Sequence, residues 1–103
     1  MESTESTAKS VDDRFYDRAD SFINVANEHC GDIGRGKVSA SFLFAASRFN
    51  AWVSACGFDS EDDMRAKKEE TLEYFLAQYK AMLEENLDDY IANFKKYMQP
   101  PEV

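Results

Sequence analysis

The stretch Phe22-Ile23-Asn24-Val25-Ala26-Asn27-Glu28-His29-Cys30-Gly31-Asp32-Ile33-Gly34-Arg35-Gly36-Lys37-Val38-Ser39-Ala40-Ser41-Phe42 decides the fold, because two apolar-periodic segments meet there across three glycines. Upstream, Phe15, Ala19, Phe22, Ile23, Ala26 and Cys30 recur at spacings of three and four. That period predicts an amphipathic helix over about 12–30, with Asp12 or Asp13 as its cap and Gly31 as its stop. Downstream, Val38, Phe42, Ala45, Ala46, Phe49 and Val53 form a second stripe, and Leu43, Phe44 and Trp52 widen it. This predicts a central helix over 38–56, begun by Ser39 or Ser41 and ended at Gly57, as the place to look for a core. The loop Gly31 to Lys37 joins the two helices, and if they lie antiparallel the chain begins as a helical hairpin.

Beyond Gly57, Phe58 is spaced to fold back on the helix just left, and Ser60-Glu61-Asp62-Asp63 has the pattern of a helix start with acids at the positive end of the dipole. Met64, Leu72, Phe75, Leu76, Tyr79, Met82, Leu83, Leu87, Tyr90, Ile91, Phe94, Tyr97 and Met98 keep a period near 3.6 up to Pro100-Pro101. A heptad with Leu72 and Tyr79 at d also places Asn86 and Asn93 there, which argues against an extended coiled coil. Two forms satisfy the pattern. Either helices over 60–84 and 86–98 are separated at Asn86, or one continuous helix of about 55 Å needs a second copy to cover it. The fold class is all-α, a small bundle of three to four helices in one domain over 11–99, with a disordered tail at 1–10 and a short tail at 100–103.

The 103 residues carry a formal net charge of −8. Such a field repels nucleic acid and anionic membranes, so neither is an expected partner. The first residues have no basic flank or apolar run that would make a targeting segment. No stretch approaches the roughly 20 apolar residues of a bilayer span. A cytoplasmic protein is the expectation. Cys30 and Cys56 fall near the ends of successive helices, about 25 Å apart in an antiparallel hairpin, so they are expected to be unpaired, buried, small apolar residues. Joined by His29, they match none of the usual zinc spacings, and no metal or other cofactor is expected.

Gly31 to Lys37 has the spacing of a phosphate-binding loop, yet Val38 stands where Ser or Thr should hold magnesium, and a helix precedes the loop in place of a strand. Nucleotide hydrolysis is therefore set aside. Arg35, Gly36, Lys37, Ser39 and Ser41 still gather cations, hydroxyls and N–H donors near a helix start, an arrangement suited to a phosphate or carboxylate. The structural alternative is a tight turn in which Gly34 and Gly36 take positive φ and the cations pair with neighbouring acids. Arg48 lies among Phe44, Ala45, Phe49 and Trp52. It is expected to be buried against Asp17, Asp20 or Glu28, or else to face a groove with Asn50 and grip a partner's carboxylate. His29 has no nucleophile at recognisable spacing and reads as a helix-end residue. The acids at Asp59–Asp63 and Glu84–Asp89 lack the glycine of a calcium loop and read as helix-start charges.

Phe15-Tyr16-Asp17-Arg18-Ala19-Asp20, Ala26-Asn27-Glu28, Arg35-Gly36-Lys37-Val38-Ser39-Ala40-Ser41, Ala46-Ser47-Arg48-Phe49-Asn50-Ala51 and Glu85-Asn86-Leu87-Asp88-Asp89-Tyr90 together resemble the bacterial family DUF3144. The resemblance spans nearly everything from Phe15 to Met98. It implies a small helical bacterial cytosolic protein and supplies no activity, cofactor or catalytic residue. The residues themselves point to a non-enzymatic module that binds an unidentified protein partner and self-associates as a homodimer, with Leu87, Tyr90, Ile91, Phe94 and Tyr97 in the interface. The competing expectation is a module for a small anionic ligand at the glycine-rich loop.

Overall fold

A computed structural model describes residues 12–99. The tails expected at 1–10 and 100–103 lie outside the described residues. The protein is all-α, and among the described residues there is no strand. Five helices follow one another: α1 (Phe15–His29), α2 (Arg35–Ala55), α3 (Glu61–Ala66), α4 (Lys68–Ala92) and α5 (Phe94–Met98). Two compact units can be distinguished among the described residues, one up to Trp52 and one from Val53 onward.

In the first unit, α1 starts later than its acids suggest. Arg14 occupies the cap position without a side-chain capping bond. Asp12 instead accepts a hydrogen bond from the Arg18 guanidinium, which takes its carboxylate away from the free N–H groups. At the other end the Cys30 N–H reaches the Ala26 and Asn27 carbonyls, and the Ile33 N–H reaches His29 O at 3.0 Å, closing the helix through a compact turn. That turn spans only Cys30 to Gly34. The Lys37 and Val38 N–H groups both bond Gly34 O, at 3.0 and 3.2 Å, so Gly34 caps α2 and the helix begins at Arg35, three residues before the expected start. Neither Gly34 nor Gly36 takes positive φ, and a Cβ built on either meets nothing within 4 Å. The expected left-handed turn is therefore absent. An early helix start absorbs both glycines in ordinary backbone geometry.

Val38 is the one buried residue of the described chain, 7% exposed. Ala19 and Ala26 are half-buried. These covered residues are small ones. The wide apolar set of α2 is otherwise on the surface: Phe44, Phe49 and Trp52 are exposed, with the Phe49 and Trp52 rings 5.6 Å apart.

In the second unit the start of α3 follows the sequence. The Ser60 hydroxyl accepts the Asp63 N–H at 3.1 Å, and Glu61, Asp62 and Asp63 fill the first turn. Phe58, half-buried, donates its N–H to Ala55 O at 3.1 Å, the backbone reversal expected after Gly57. The interruption expected at Asn86 is not there. Asn86 lies inside α4 and donates its side-chain amide to Met82 O at 3.0 Å, one turn back, which leaves the helix intact. The breaks fall at Lys67 (φ −105°, ψ 9°) and Asn93 (φ −119°, ψ 27°). Around Lys67, both the Thr71 N–H and the Thr71 hydroxyl converge on the Lys67 carbonyl, each at 2.9 Å, and this shared acceptor marks the restart of the helix. No residue of α4 is buried.

Exposed pairs one turn apart decorate the second unit, among them Arg65–Asp62 at 2.6 Å and Lys67–Glu70 at 3.2 Å. Such solvated pairs contribute little to stability, so the packing question turns on apolar surface.

Candidate functional site

Within the first unit, α1 and α2 wall an apolar groove of about 420 Å³. Phe22, Val25 and Ala26 line it from α1, and Val38, Phe42 and Ala45 from α2, with Ile33 of the turn at one end. His29, Lys37 and Ser41 are its polar members. The spacings of four and three at positions 22, 26 and 38, 42, 45 put these side chains on one stripe of each helix. A trough of this size with a cationic edge suits an amphipathic guest better than a small polar one.

The anion candidates are only partly brought together. Arg35 and Gly36 stand in the first turn of α2, where their N–H groups make no backbone hydrogen bond, and Lys37 follows at once. Ser39 and Ser41 lie in the helix itself, two positions apart and hence roughly 160° apart around its axis, so they do not face one point. Ser41 joins Lys37 in the groove, whereas Ser39 does not line it.

Arg48 is exposed, and among the described residues it makes no ion pair, contrary to the buried pair with Asp17, Asp20 or Glu28. Its position explains this: eleven residues on from Lys37, it stands about 80° around α2 from the buried Val38. Asn50 is half-buried. Both cysteines carry free thiols, as expected, but both are exposed rather than buried, because each lies at a helix end beyond the apolar stripes. Among the described residues no group of three or more His, Cys, Asp or Glu side chains gathers to hold a metal. No helix is long and apolar enough to cross a membrane.

The second candidate surface runs along α4 and α5. Leu87, Tyr90, Ile91, Phe94 and Tyr97 are all exposed, Ile91 by 73% and Phe94 by 62%. A small polar cluster braces the junction, which sequence reasoning missed. The Asn93 amide donates to Asp89 O and to Asp89 Oδ1, each at 3.0 Å, and the Tyr97 hydroxyl donates to Asp89 Oδ2 at 3.1 Å. The Tyr90 and Tyr97 rings meet edge-on with centroids 4.8 Å apart. Hydrogen bonding to the Asp89 carboxylate raises the Tyr97 phenol above its ordinary pKa, since ionising it would set two anions side by side. The signal lay in the Asp89, Asn93 and Tyr97 spacing of four, legible once the helix is known to continue past Asn86. The junction therefore keeps both tyrosines presented on one edge of the apolar stripe.

No curated protein matches the chain. Among solved structures, the NMR structure of the protein NB7890A from Shewanella sp. shares 40% sequence identity, covers 87% of this chain and 96% of its own, and superposes with a TM-score of 0.72. The family described as protein of unknown function (DUF3144) matches residues 15–91, taking in α1, α2, α3 and most of α4. Given that match and the Shewanella relative, the chain belongs to the DUF3144 family.

Proposed function

We propose that the protein is a non-enzymatic module that works by self-association and by binding a protein partner. The observation that carries this reading is the exposed stripe Leu87, Tyr90, Ile91, Phe94 and Tyr97 on α4 and α5. A row of five large apolar side chains without cover is a surface that soluble monomers seldom keep. Its aromatic content is also that of interface centres, where Tyr and Phe supply contact area at low entropy cost. The reading keeps the bacterial, cytoplasmic setting expected from the sequence, supported by the Shewanella relative and the two free thiols.

Light scattering coupled to size exclusion tests it. The expected mass is twice the monomer's 11.8 kDa, and Tyr90→Asp with Phe94→Asp lowers it to the monomer value while far-ultraviolet dichroism holds. A wild-type protein that stays monomeric at high concentration would sink self-association. Complete unfolding of the variant would instead assign the stripe to an intrachain core.

One observation favours a second reading, a site for a small anion. The N–H groups of Arg35 and Gly36 lack backbone acceptors beside the Lys37 ammonium. Inorganic phosphate titrated into labelled protein should then shift the amides of Gly34 through Lys37 saturably, and Arg35→Ala with Lys37→Ala should abolish the shifts. Unmoved amides would leave the loop as a turn.

A further inference from the structure

The α2 wall of the groove and the α4 surface carry opposite charge, while α1, the other wall, holds Asp17, Asp20 and Glu28 with Arg18. α2 holds Arg35, Lys37 and Arg48 and no acid, whereas α4 holds seven carboxylates against Lys68 and Lys80. We infer that the groove between α1 and α2 receives α4 of a second copy of this chain, so that two such contacts form a symmetric homodimer. The inference rests on the self-association reading above and names the two surfaces that meet.

Spacing and face support the pairing as well as sign. Lys37 and Arg48 are eleven residues apart, which on a helix is about 16.5 Å along the axis and only about 20° around it. They form one cationic edge. Glu73 and Glu84 of α4 are also eleven apart and flank Lys80 on an edge of the same length that is net acidic by one charge. Between the cations lie the groove residues Val38 and Ala45, and between the acids lie Leu76 and Leu83; each apolar pair is seven residues, about 10.5 Å, apart. The cations stand about 80° to one side of their apolar pair and the acids about 80° to the other. Edges on opposite sides meet when the two helices run parallel. Lys37 then lies alongside Glu73 and Arg48 alongside Glu84, while Leu76 and Leu83 enter the trough.

A helix seated in a groove by periodic apolar anchors is a common recognition mode, and charge along its edge fixes register and partner. Glu84 already holds Lys80 at 3.4 Å with both side chains exposed, so an incoming Arg48 shares that carboxylate without having to desolvate a buried pair. Twofold symmetry supplies each contact twice.

Charge reversal at low ionic strength tests the pairing. Lys37→Glu with Arg48→Glu, and separately Glu73→Lys with Glu84→Lys, should each weaken self-association roughly tenfold or more, since like charges then face each other in both contacts. Mixed in equal amounts, the two variants should recover the dimer mass, because every contact is again complementary. A cationic-edge variant that dimerises like wild type would overturn the groove pairing while leaving self-association standing. Failure of the mixture to recover would also overturn it. A monomeric wild type would overturn both readings. A second measurement needs no substitution: in a mixture of isotope-labelled and unlabelled wild-type chains, intermolecular NOEs should join Val38 to Leu76 and Ala45 to Leu83. NOEs confined to α4 against α4 would refute the pairing.

Discussion

The α1–α2 unit and the α3–α5 unit solve the same problem in different ways. In the first, two helices of 15 and 21 residues supply apolar stripes, so Val38 is buried and a lined groove results. In the second, one helix of 25 residues is flanked by helices of six and five, too short to cover it, and none of its residues is buried. The contrast separates two sources of order. Convergence of side chains in the first unit is confined to the groove beside the turn, while caps, i to i−4 side-chain bonds and one polar cluster order the long helix. Local terms alone leave helices marginal in water, so the second unit depends more heavily on whatever covers its stripe.

The comparison is sharpest at Val38. Val38→Ala should cost about 1.5–2 kcal/mol, from the loss of two buried methyl groups' worth of apolar surface, read by urea unfolding at fixed protein concentration. Val25→Ala, also in the groove but 52% exposed, should cost less than about 0.5 kcal/mol. That small cost belongs to the dilute, monomeric chain; at concentrations where a second copy fills the groove, the Val25→Ala cost should rise toward that of Val38→Ala. In the second unit, Ser60→Ala should cost about 1 kcal/mol by removing the acceptor of the Asp63 N–H, and Ser60→Asp should restore most of it. No change would show that the start of α3 contributes nothing to the cooperative fold.

Gly36→Ala should raise stability by about 0.5–1 kcal/mol, since Gly36 sits in α2 with open space at its Cβ position and no positive φ. A loss of stability would restore the glycine-dependent turn. The smallest effect is the pH response of the α4–α5 junction. Because the folded Tyr97 pKa is raised, its contribution is fully present below the unfolded phenol pKa and is lost as pH rises through the folded value. Phenolate absorbance should therefore show one late-titrating tyrosine, and Asp89→Asn should bring it back toward the ordinary value. At the opposite end of the chain and of the pH scale, the Arg18 hydrogen bond lowers the Asp12 pKa, so that contribution is present above the unfolded carboxylate value and lost as pH falls through the folded one.

Much of this architecture was legible in the residues. The turn between α1 and α2, the helix stop just before Gly31, the Ser60 cap and the helical period running through Asn86 all follow from patterns that act locally. The start of α2 was misplaced because glycine costs a helix about 1 kcal/mol, a penalty that Gly36 tolerates within a first turn already nucleated by Gly34. Asn86 and Asn93 show why breaks are harder. Both donate to the carbonyl four residues back, but only Asn93 also holds the Asp89 carboxylate that Tyr97 shares, and only there does the backbone leave helical angles. Burial at Arg48, Cys30 and Cys56 was assigned by the company they keep in sequence. Their exposure depends instead on angular position around a helix and on distance from its end.

That no residue of α4 is buried has a kinetic consequence. Amide hydrogens in such a helix exchange with solvent through small local openings, because little packing has to be lost each time. If the helix spends its time in another copy's groove, its amides and those of the groove residues that receive it exchange at a rate that falls as protein concentration rises, whereas those at the Ser60-capped start of α3 are set by local bonds alone. Deuterium uptake across a dilution series would thus resolve, along a single chain, the part that orders itself from the part that is ordered by company.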